Sequence, residues 1–182
     1  EPDYIGQLGA FDRSNLGKLH EVALYAADIF QHYRAREAAF PVEDYLPVHR
    51  SLNARMRMTL VDWMAEIQEN FELCHESLYL GVKLFDRFLS GQKTAVGRDK
   101  MQLVGATALW IACKFDERTP PALDDFVFVC DDAYPRQEFL QMEISLLHTV
   151  GFDLGIPLSY RFHRRYSRVT TSAHPVFLAK VS

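Results

Sequence analysis

The chain has 182 residues, of which 48% are hydrophobic and 24% charged, and its formal net charge at pH 7 is −4. This is the balance of an ordinary globular protein with room for one domain and part of a second. A net negative charge is not typical of a nucleic-acid-binding protein, which usually carries an excess of Lys and Arg. No apolar run reaches the length of a membrane span. The three cysteines are far apart and not in CxxC spacing, which argues against a disulfide framework or a zinc site and indicates an intracellular protein.

The N-terminal quarter predicts one helix behind an irregular start. Residues 1–16 show no clear period and are interpreted as an arm. From Leu19 onward, apolar residues recur at helical spacing. This helix should end near Phe40, because the residue before Pro41 is pushed out of helical conformations. Residues 17–48 are therefore predicted to form an N-terminal helix and a linker.

The next segment, residues 49–152, carries the strongest helical patterns. Asn53 is a suitable N-cap for the first helix of this segment, and a second helix should run from about His75 to Gly91. The third, residues 98–115, is apolar nearly all round and contains several small residues. Such a helix is buried on most sides, with its neighbours packed close, so we interpret it as the central helix of the domain.

Two more helices are predicted before the segment ends. Pro121 suits the first turn of a short helix that ends near Cys130. A longer helix over residues 136–150 should be closed by Gly151. Residues 153–182 are interpreted as a linker and the incomplete start of a second helical unit. No segment shows the strict alternation of a strand over any length, so the predicted fold class is all-α.

Several segments together resemble the cyclin box. They are Met56-Arg57-x-x-Leu60-Val61-Asp62-Trp63, Glu76-x-Leu78-x-Leu80, Asp86-Arg87-Phe88-Leu89-Ser90, KMQLVGATALWIACKFDE (100–117) and the run from Pro120 to Pro157, preceded by Tyr25-x-x-Asp28-Ile29. The match covers most of residues 20–168 in the expected helix order. It is similar to the B-type cyclins, and DWMAEIQENFEL, CDDAY and YRFHRRYSR resemble the third B subgroup in particular.

The resemblance implies a fold and a function. The fold would be a five-helix cyclin box around a buried central helix, with an extra N-terminal helix and the start of a second box. Cyclins have no catalytic activity of their own and need no cofactor or metal. They bind and activate a cyclin-dependent protein kinase during mitotic or meiotic progression and help recruit substrates. The family also implies a nuclear location, with the cytoplasm as a second compartment.

The resemblance also assigns a kinase-binding surface. In the family, a Lys and a Glu that match Lys114 and Glu143 hydrogen-bond backbone groups of the kinase. From the residues alone, an exposed salt bridge worth about 0–1 kcal/mol is the alternative. The weaker candidates for the same surface are Phe115, Asp116, Glu117, Leu146 and Phe152, and Tyr25, Asp28 and Ile29 would extend it from the N-terminal helix.

A second surface and one structural pair follow from the same resemblance. The residues that match the family's docking groove for Arg-x-Leu segments of substrates or inhibitors are Met56, Leu60, Trp63, Glu66 and Gln102. Glu66 would pair with the Arg, and Thr59, where many mitotic cyclins carry Ile, would weaken the groove by about 1 kcal/mol. Ordinary core packing is the alternative for this stripe. Arg57 and Asp86 match a buried salt bridge between the first two box helices.

Two other functions are weighed against the kinase regulator. A cyclin-fold transcription factor that binds DNA or the transcription machinery should carry a strongly basic face. The only basic cluster is short (Arg161, His163, Arg164, Arg165 and Arg168), and a solvated or covered face explains it better. A helical enzyme is disfavoured because no nucleophile–base set, metal-ligand spacing or cofactor motif is present. Membrane and nucleic-acid partners are accordingly not expected.

Overall fold

The computed structural model describes residues 8–173, and within that range every regular element is helical. The α-helices are α1 (Ala10–Ser14), α2 (Ala26–Glu37), α3 (Ala54–Asn70), α4 (His75–Gly91), α5 (Met101–Asp116), α6 (Leu123–Val129), α7 (Arg136–Val150) and α8 (Ser159–Ala173). Short 3-10 turns occupy Leu19–Glu21, Ala23–Tyr25 and Arg98–Lys100. The predicted all-α fold class is confirmed.

The described residues form two compact units. The larger unit consists of residues 40–158 and contains α3 to α7. The smaller unit combines residues 8–39 with residues 159–173, and so contains α1, α2 and α8. The four-part division predicted from the sequence stays a prediction.

In the smaller unit, α2 begins seven residues later than the helical spacing predicted. Val22 has φ 47°, in the left-handed region, and separates two 3-10 turns. A β-branched residue in this region interrupts the helical hydrogen-bond ladder. The continuous helix therefore starts only at Ala26, and it ends at Glu37, close to the predicted end.

The smaller unit is also held together by ion pairs of α8. Arg165 donates hydrogen bonds of 2.6 and 2.5 Å to the two carboxylate oxygens of buried Asp12 on α1. Arg168 pairs with Glu21, and Arg161 donates to the hydroxyl of Tyr33. The start of the chain is thus not only an irregular arm, since it includes α1. Residues 1–7 of the predicted arm and residues 174–182 of the predicted second unit lie outside the described residues.

In the larger unit, α5 is the central helix, as predicted. It is buried continuously from Leu103 to Cys113. Two glycines allow its neighbours to approach. A Cβ added to Gly105 would lie 2.9 Å from Cδ2 of Leu60 on α3, and one added to Gly81 on α4 would lie 3.0 Å from the backbone of α5. The first contact would require the Leu60 side chain to shift, and the second is a tight contact with backbone, so glycine favours the close approach of these helices.

The ends of the helices confirm two of the predicted signals and correct a third. The Asn53 side chain accepts a hydrogen bond of 2.9 Å from the backbone N–H of Met56, and so caps α3. Gly151 has φ 70° and ends α7. Pro121, however, lies before α6 and not in its first turn. The N-cap position there belongs to Ala122, whose backbone N–H donates a hydrogen bond of 2.7 Å to the side chain of Asp125.

One buried histidine connects the segment before α3 to the segment before α5. The backbone N–H of Val96 donates to Nδ1 of His49 at 2.9 Å, so Nδ1 is unprotonated. Nε2 carries the proton and donates to the carbonyl of Leu89 at 2.9 Å, at the end of α4. The neutral imidazole therefore fixes the entry to α5 relative to the residues that precede α3.

Candidate functional site

The first candidate surface centres on an ion pair between α5 and α7. Lys114 and Glu143 form a salt bridge, with 36% and 18% of their side-chain surfaces exposed. The ammonium also lies 3.6 Å from the ring centroid of Trp110, one turn earlier on α5. A cation over an indole face gains further attraction. The pair is thus fixed in place and still accessible to a partner.

The structure separates the weaker candidates on α5 and α7 into exposed and buried residues. Phe115 and Phe152 are 52% and 60% exposed, whereas Asp116 is half-buried. Leu146 is completely buried in the core of the larger unit. Its assignment to a kinase-contacting surface is therefore corrected: a side chain with no exposed area cannot touch a partner in this arrangement.

Glu117 also has a role inside the larger unit. Its carboxylate accepts hydrogen bonds from the backbone N–H of Cys74 at 2.8 Å and from the hydroxyl of Ser77 at 2.6 Å. It therefore caps the N-terminus of α4 from the end of α5. Partial burial raises the pKa of Glu117, but these hydrogen bonds outweigh it and hold the pKa below its ordinary value. The carboxylate therefore caps α4 within the fold, and its assignment to the kinase-binding surface stays a prediction.

The N-terminal candidates lie in the smaller unit. Tyr25 precedes α2 and is exposed, Asp28 is exposed in its first turn, and Ile29 is half-buried. Exposed aromatic and carboxylate groups are available for contact with another protein. Their assignment as an extension of the kinase-binding surface stays a prediction.

The second candidate surface is a groove of about 640 Å³ between the N-terminal ends of α3 and α5. Four of the five predicted docking residues line this groove: Met56, Leu60, Trp63 and Gln102. Trp63 and Met56 are half-buried, and Leu60 is buried against Gly105. The structure thus brings the predicted α3 stripe and the α5 residue to one cleft.

The charged groups of the groove differ from the prediction. Glu66 is exposed on α3 but does not line the groove. The remaining lining residues are Asn53, Arg55, Thr59, Arg98 and Met101. Two arginines therefore occupy the walls, and sequence reasoning missed both. A signal was available: Arg55 precedes Met56, and Arg98 stands four residues before Gln102, one helical turn away.

The third constellation is structural. Arg57 on α3 donates two hydrogen bonds to Asp86 on α4, at 2.8 and 2.6 Å, and the Tyr45 hydroxyl donates a third at 2.8 Å. The bond to Asp86 raises the pKa of Arg57. Burial and the same carboxylate raise the pKa of Tyr45. The raised pKa values of Arg57 and Tyr45 thus keep both hydrogen-bond donors protonated, as expected of a tie between the first two box helices.

The described residues were also compared with the requirements of a reactive thiol, a metal site and a membrane span. Burial raises the pKa of the Cys113 and Cys130 thiols to about 12, so both are protonated at neutral pH. No group of three or more metal-ligating side chains occurs in residues 8–173. Over the same range, no helix combines the length and the apolar character required to cross a membrane.

Comparison with known families gives a match over most of the chain. The family model described as "Cyclin, N-terminal domain" matches residues 28–155. A G2/mitotic-specific cyclin-B3 of Drosophila melanogaster is 51% identical over 158 residues, which cover 87% of this chain and 27% of that protein. The human protein of the same name is 47% identical over 145 residues, which cover 80% of this chain and 10% of that protein. The chain spans well under half of the length of these relatives.

A comparison with solved structures supports the fold. The X-ray structure of a viral cyclin from herpesvirus saimiri superposes with a TM-score of 0.63 at 22% sequence identity. The superposition covers 74% of this chain and 58% of that one. At this identity, the likeness concerns the arrangement of helices alone.

Proposed function

The chain belongs to the cyclin family, and we propose from this that it acts as a regulatory subunit that binds and activates a cyclin-dependent protein kinase. Its resemblance to B-type cyclins and to the third B subgroup is confirmed by its similarity to cyclin-B3 proteins of several animals. The names of these relatives carry the words G2/mitotic-specific, which supports a role in mitotic or meiotic cell-cycle progression.

The observation that carries the proposal is the Lys114–Glu143 pair. A lysine donates hydrogen bonds and a carboxylate accepts them, so the pair can satisfy a carbonyl and an amide of a partner's backbone together. Trp110 holds the lysine in place, and the adjacent Phe115 adds exposed apolar surface. Such a small polar site beside an aromatic side chain is typical of the centre of a protein–protein interface.

Activation would follow from differential binding. A surface that fits only the active arrangement of the kinase shifts the kinase population toward that arrangement. A shift from 1:99 to 99:1 requires about 5.5 kcal/mol of differential affinity. The cyclin itself performs no chemistry in this mechanism.

The test adds the chain to a purified, inactive mitotic cyclin-dependent kinase and follows phosphate transfer to a histone peptide. We expect activation by the unmodified chain and its loss in a Lys114→Ala/Glu143→Ala variant. Lys100→Ala/Glu138→Ala is the matched control, because Lys100 and Glu138 form a second partly exposed salt bridge, of 2.6 Å, between the 3-10 turn before α5 and the first turn of α7.

The outcomes separate the function from the assigned surface. If the control activates and the Lys114→Ala/Glu143→Ala variant does not, function and surface are both supported. If both variants activate like the unmodified chain, the function is supported but the assigned surface is wrong. If no form activates and none binds the kinase in a pull-down, the regulatory role is refuted.

We also propose that the groove formed by Met56, Leu60, Trp63 and Gln102 with its neighbours docks a peptide segment of a substrate or inhibitor. The apolar side chains that line it suit a leucine or phenylalanine of such a segment. The predicted contact of Glu66 with an arginine of an Arg-x-Leu segment has less support, because Glu66 does not line the groove.

The ion pairs of the basic cluster count against the alternative of a cyclin-fold transcription factor that binds DNA. Arg165 and Arg168 of the basic cluster are ion-paired to Asp12 and Glu21 within the smaller unit. Cations that are already paired contribute less to phosphate binding, since their present bonds would have to be broken. A DNA electrophoretic mobility shift at low salt would test this alternative, and we expect no shift.

For the location in the cell, we propose the nucleus, with the cytoplasm as a second compartment. The proposal rests on membership of the cyclin family. Imaging of a fluorescent fusion through the cell cycle tests it. A signal confined to a membrane or to the outside of the cell would refute it.

A further inference from the structure

The groove between α3 and α5 carries an unusual charge for a chain that is acidic overall. Of its nine lining residues, two are arginines and none is a carboxylate. Arg55 is exposed at the start of α3, and Arg98 is exposed in the 3-10 turn that leads into α5. The net charge of the whole chain is −4, so the positive groove is a local feature and not a consequence of composition.

Neither arginine is engaged elsewhere in the part of the chain that the structure describes. Within residues 8–173, no ion pair, hydrogen bond or ring contact involves either guanidinium. Arg57 and Arg165, in contrast, each donate hydrogen bonds to an aspartate. A guanidinium with no internal partner is free to bind a carboxylate through two parallel hydrogen bonds.

The helix backbone, like the two arginines, favours an anionic ligand in the groove. The groove lies at the N-terminal ends of α3 and α5, both of which exceed fifteen residues. The N-terminus of a helix carries partial positive charge, which stabilises nearby anions. The apolar floor, with Leu60 and Trp63, excludes part of the surrounding water and so weakens the screening of these charges.

We propose that the groove selects peptides in which acidic residues flank an apolar pair, and that Arg55 and Arg98 read those acidic residues. The inference rests on the proposed docking function of the groove and names the class of its ligand. Leucine or phenylalanine side chains occupy the apolar floor, while Asp or Glu on either side pairs with the arginine on each wall. An arginine on either side of the apolar pair finds no carboxylate among the residues that line the groove.

The test measures direct binding to the full chain by fluorescence anisotropy, without any kinase. The probes are fluorescein-labelled twelve-residue peptides with a Leu-x-Leu or Leu-x-Phe core and with Glu, Ser or Arg on both sides. We expect the Glu-flanked peptides to bind about tenfold more tightly than the Ser-flanked ones, because two partly exposed charge pairs are formed. Arg-flanked peptides should bind most weakly. The preference for Glu-flanked over Ser-flanked peptides should decrease at 1 M salt, where the Debye length is only about 3 Å.

Charge reversal sharpens the test. In an Arg55→Glu/Arg98→Glu variant, the order should invert, with Arg-flanked peptides binding most tightly. Carboxylates near helix N-termini are favourable for folding, and circular dichroism checks that the helices persist. The matched control, Lys93→Glu/Arg118→Glu, changes net charge equally at exposed residues outside the groove and should keep the Glu preference. Should the reversed variant unfold, Arg55→Ala/Arg98→Ala serves instead and should reduce the preference to below twofold.

Three results would overturn the inference: equal binding of the three flanks, tighter binding of the Arg-flanked peptides to the unmodified chain, or no binding of any peptide. An unchanged preference in the reversed variant would equally reject the two arginines as the readers. Kinase activation by the unmodified chain is a separate measurement. Its failure refutes the regulatory role, whereas the charge preference of the groove is decided by the binding assay alone.

Discussion

The Arg57–Asp86 pair and the Lys114–Glu143 pair both join two helices of the larger unit, but their surroundings differ. Asp86 is buried and accepts three hydrogen bonds, two from Arg57 and one from Tyr45. Lys114 instead lies at the surface over the ring of Trp110, beside exposed Phe115. The exposure of the two pairs is similar, since 36% of the side-chain surface is exposed in both Arg57 and Lys114. What differs is how many hydrogen bonds the carboxylate of the pair already accepts within the fold and whether exposed aromatic surface lies beside the pair.

This difference separates a structural pair from a binding pair. In the first, the oxygens of the carboxylate are used within the fold, and removal of the carboxylate strands a cation and a hydroxyl. In the second, part of the hydrogen-bonding capacity of both side chains remains available, since each side chain retains exposed surface. The number of hydrogen bonds that the carboxylate accepts within the fold is therefore a better guide than charge or exposed surface when such pairs are assigned.

The largest expected effect comes from breaking the buried network. We expect Asp86→Ala to lower the free energy of unfolding by about 3–4 kcal/mol, because Arg57 and Tyr45 lose their common acceptor. Urea unfolding, monitored by circular dichroism at neutral pH, measures it. A loss below about 1 kcal/mol would place Asp86 in the same class as the exposed pairs.

The second test compares two residues near the end of α7 that were both predicted to contact a kinase. Leu146→Ala should lower the free energy of unfolding by about 3 kcal/mol, because Leu146 is completely buried and its truncation leaves a cavity. Phe152→Ala should cost under about 1 kcal/mol, since its ring is 60% exposed. Thermal unfolding of both variants checks this. Equal losses would contradict the assignment of Leu146 to the core and Phe152 to the surface.

The fold was largely predictable because its signals are local. Asn53, Gly151 and the all-apolar central helix each specify an element through their own conformation or burial. The break at Val22 was not predictable, because helical spacing of apolar residues continues across it. Its cause is a backbone angle, which side-chain periodicity does not encode.

The site residues were less predictable, because their roles depend on tertiary neighbours. Leu146 and Glu117 stand at positions that the family resemblance associates with the kinase, yet one is in the core and the other caps α4. Arg55 and Arg98 are 43 positions apart in the chain, and only the packing of α3 beside α5 brings them to one groove. No periodicity connects residues at such a separation, so the one signal was their closeness in the chain to Met56 and Gln102.

The capping carboxylate predicts a pH dependence. Since the folded-state pKa of Glu117 lies below its ordinary value of 4.5, its ionised form stabilises the fold at and above that pH. The contribution is lost as the pH falls through the folded-state pKa. Glu117→Gln keeps an oxygen acceptor but no charge, so we expect the variant to be less stable than the unmodified chain at pH 7.

The difference between Glu117→Gln and the unmodified chain should vanish in acid. Urea unfolding of both chains at pH 7 and at steps below pH 4.5 measures it. A difference that stays constant through this range would mean that the charge of Glu117 does not contribute and that its hydrogen bonds to Cys74 and Ser77 act as neutral bonds.

The smallest expected change in stability completes the comparison of the ion pairs. Lys114→Ala/Glu143→Ala should lower the free energy of unfolding by about 0.5 kcal/mol, because partly exposed pairs gain little over solvated charges. Lys100 and Glu138 expose 41% and 36% of their side-chain surfaces, so Lys100→Ala/Glu138→Ala should likewise have only a small effect on stability. If urea unfolding shows equally small losses for both variants while only the first abolishes kinase activation, the loss of function cannot be attributed to unfolding. A loss of several kcal/mol in the first variant would instead show that the Lys114–Glu143 pair holds the fold together, as Arg57 and Asp86 do.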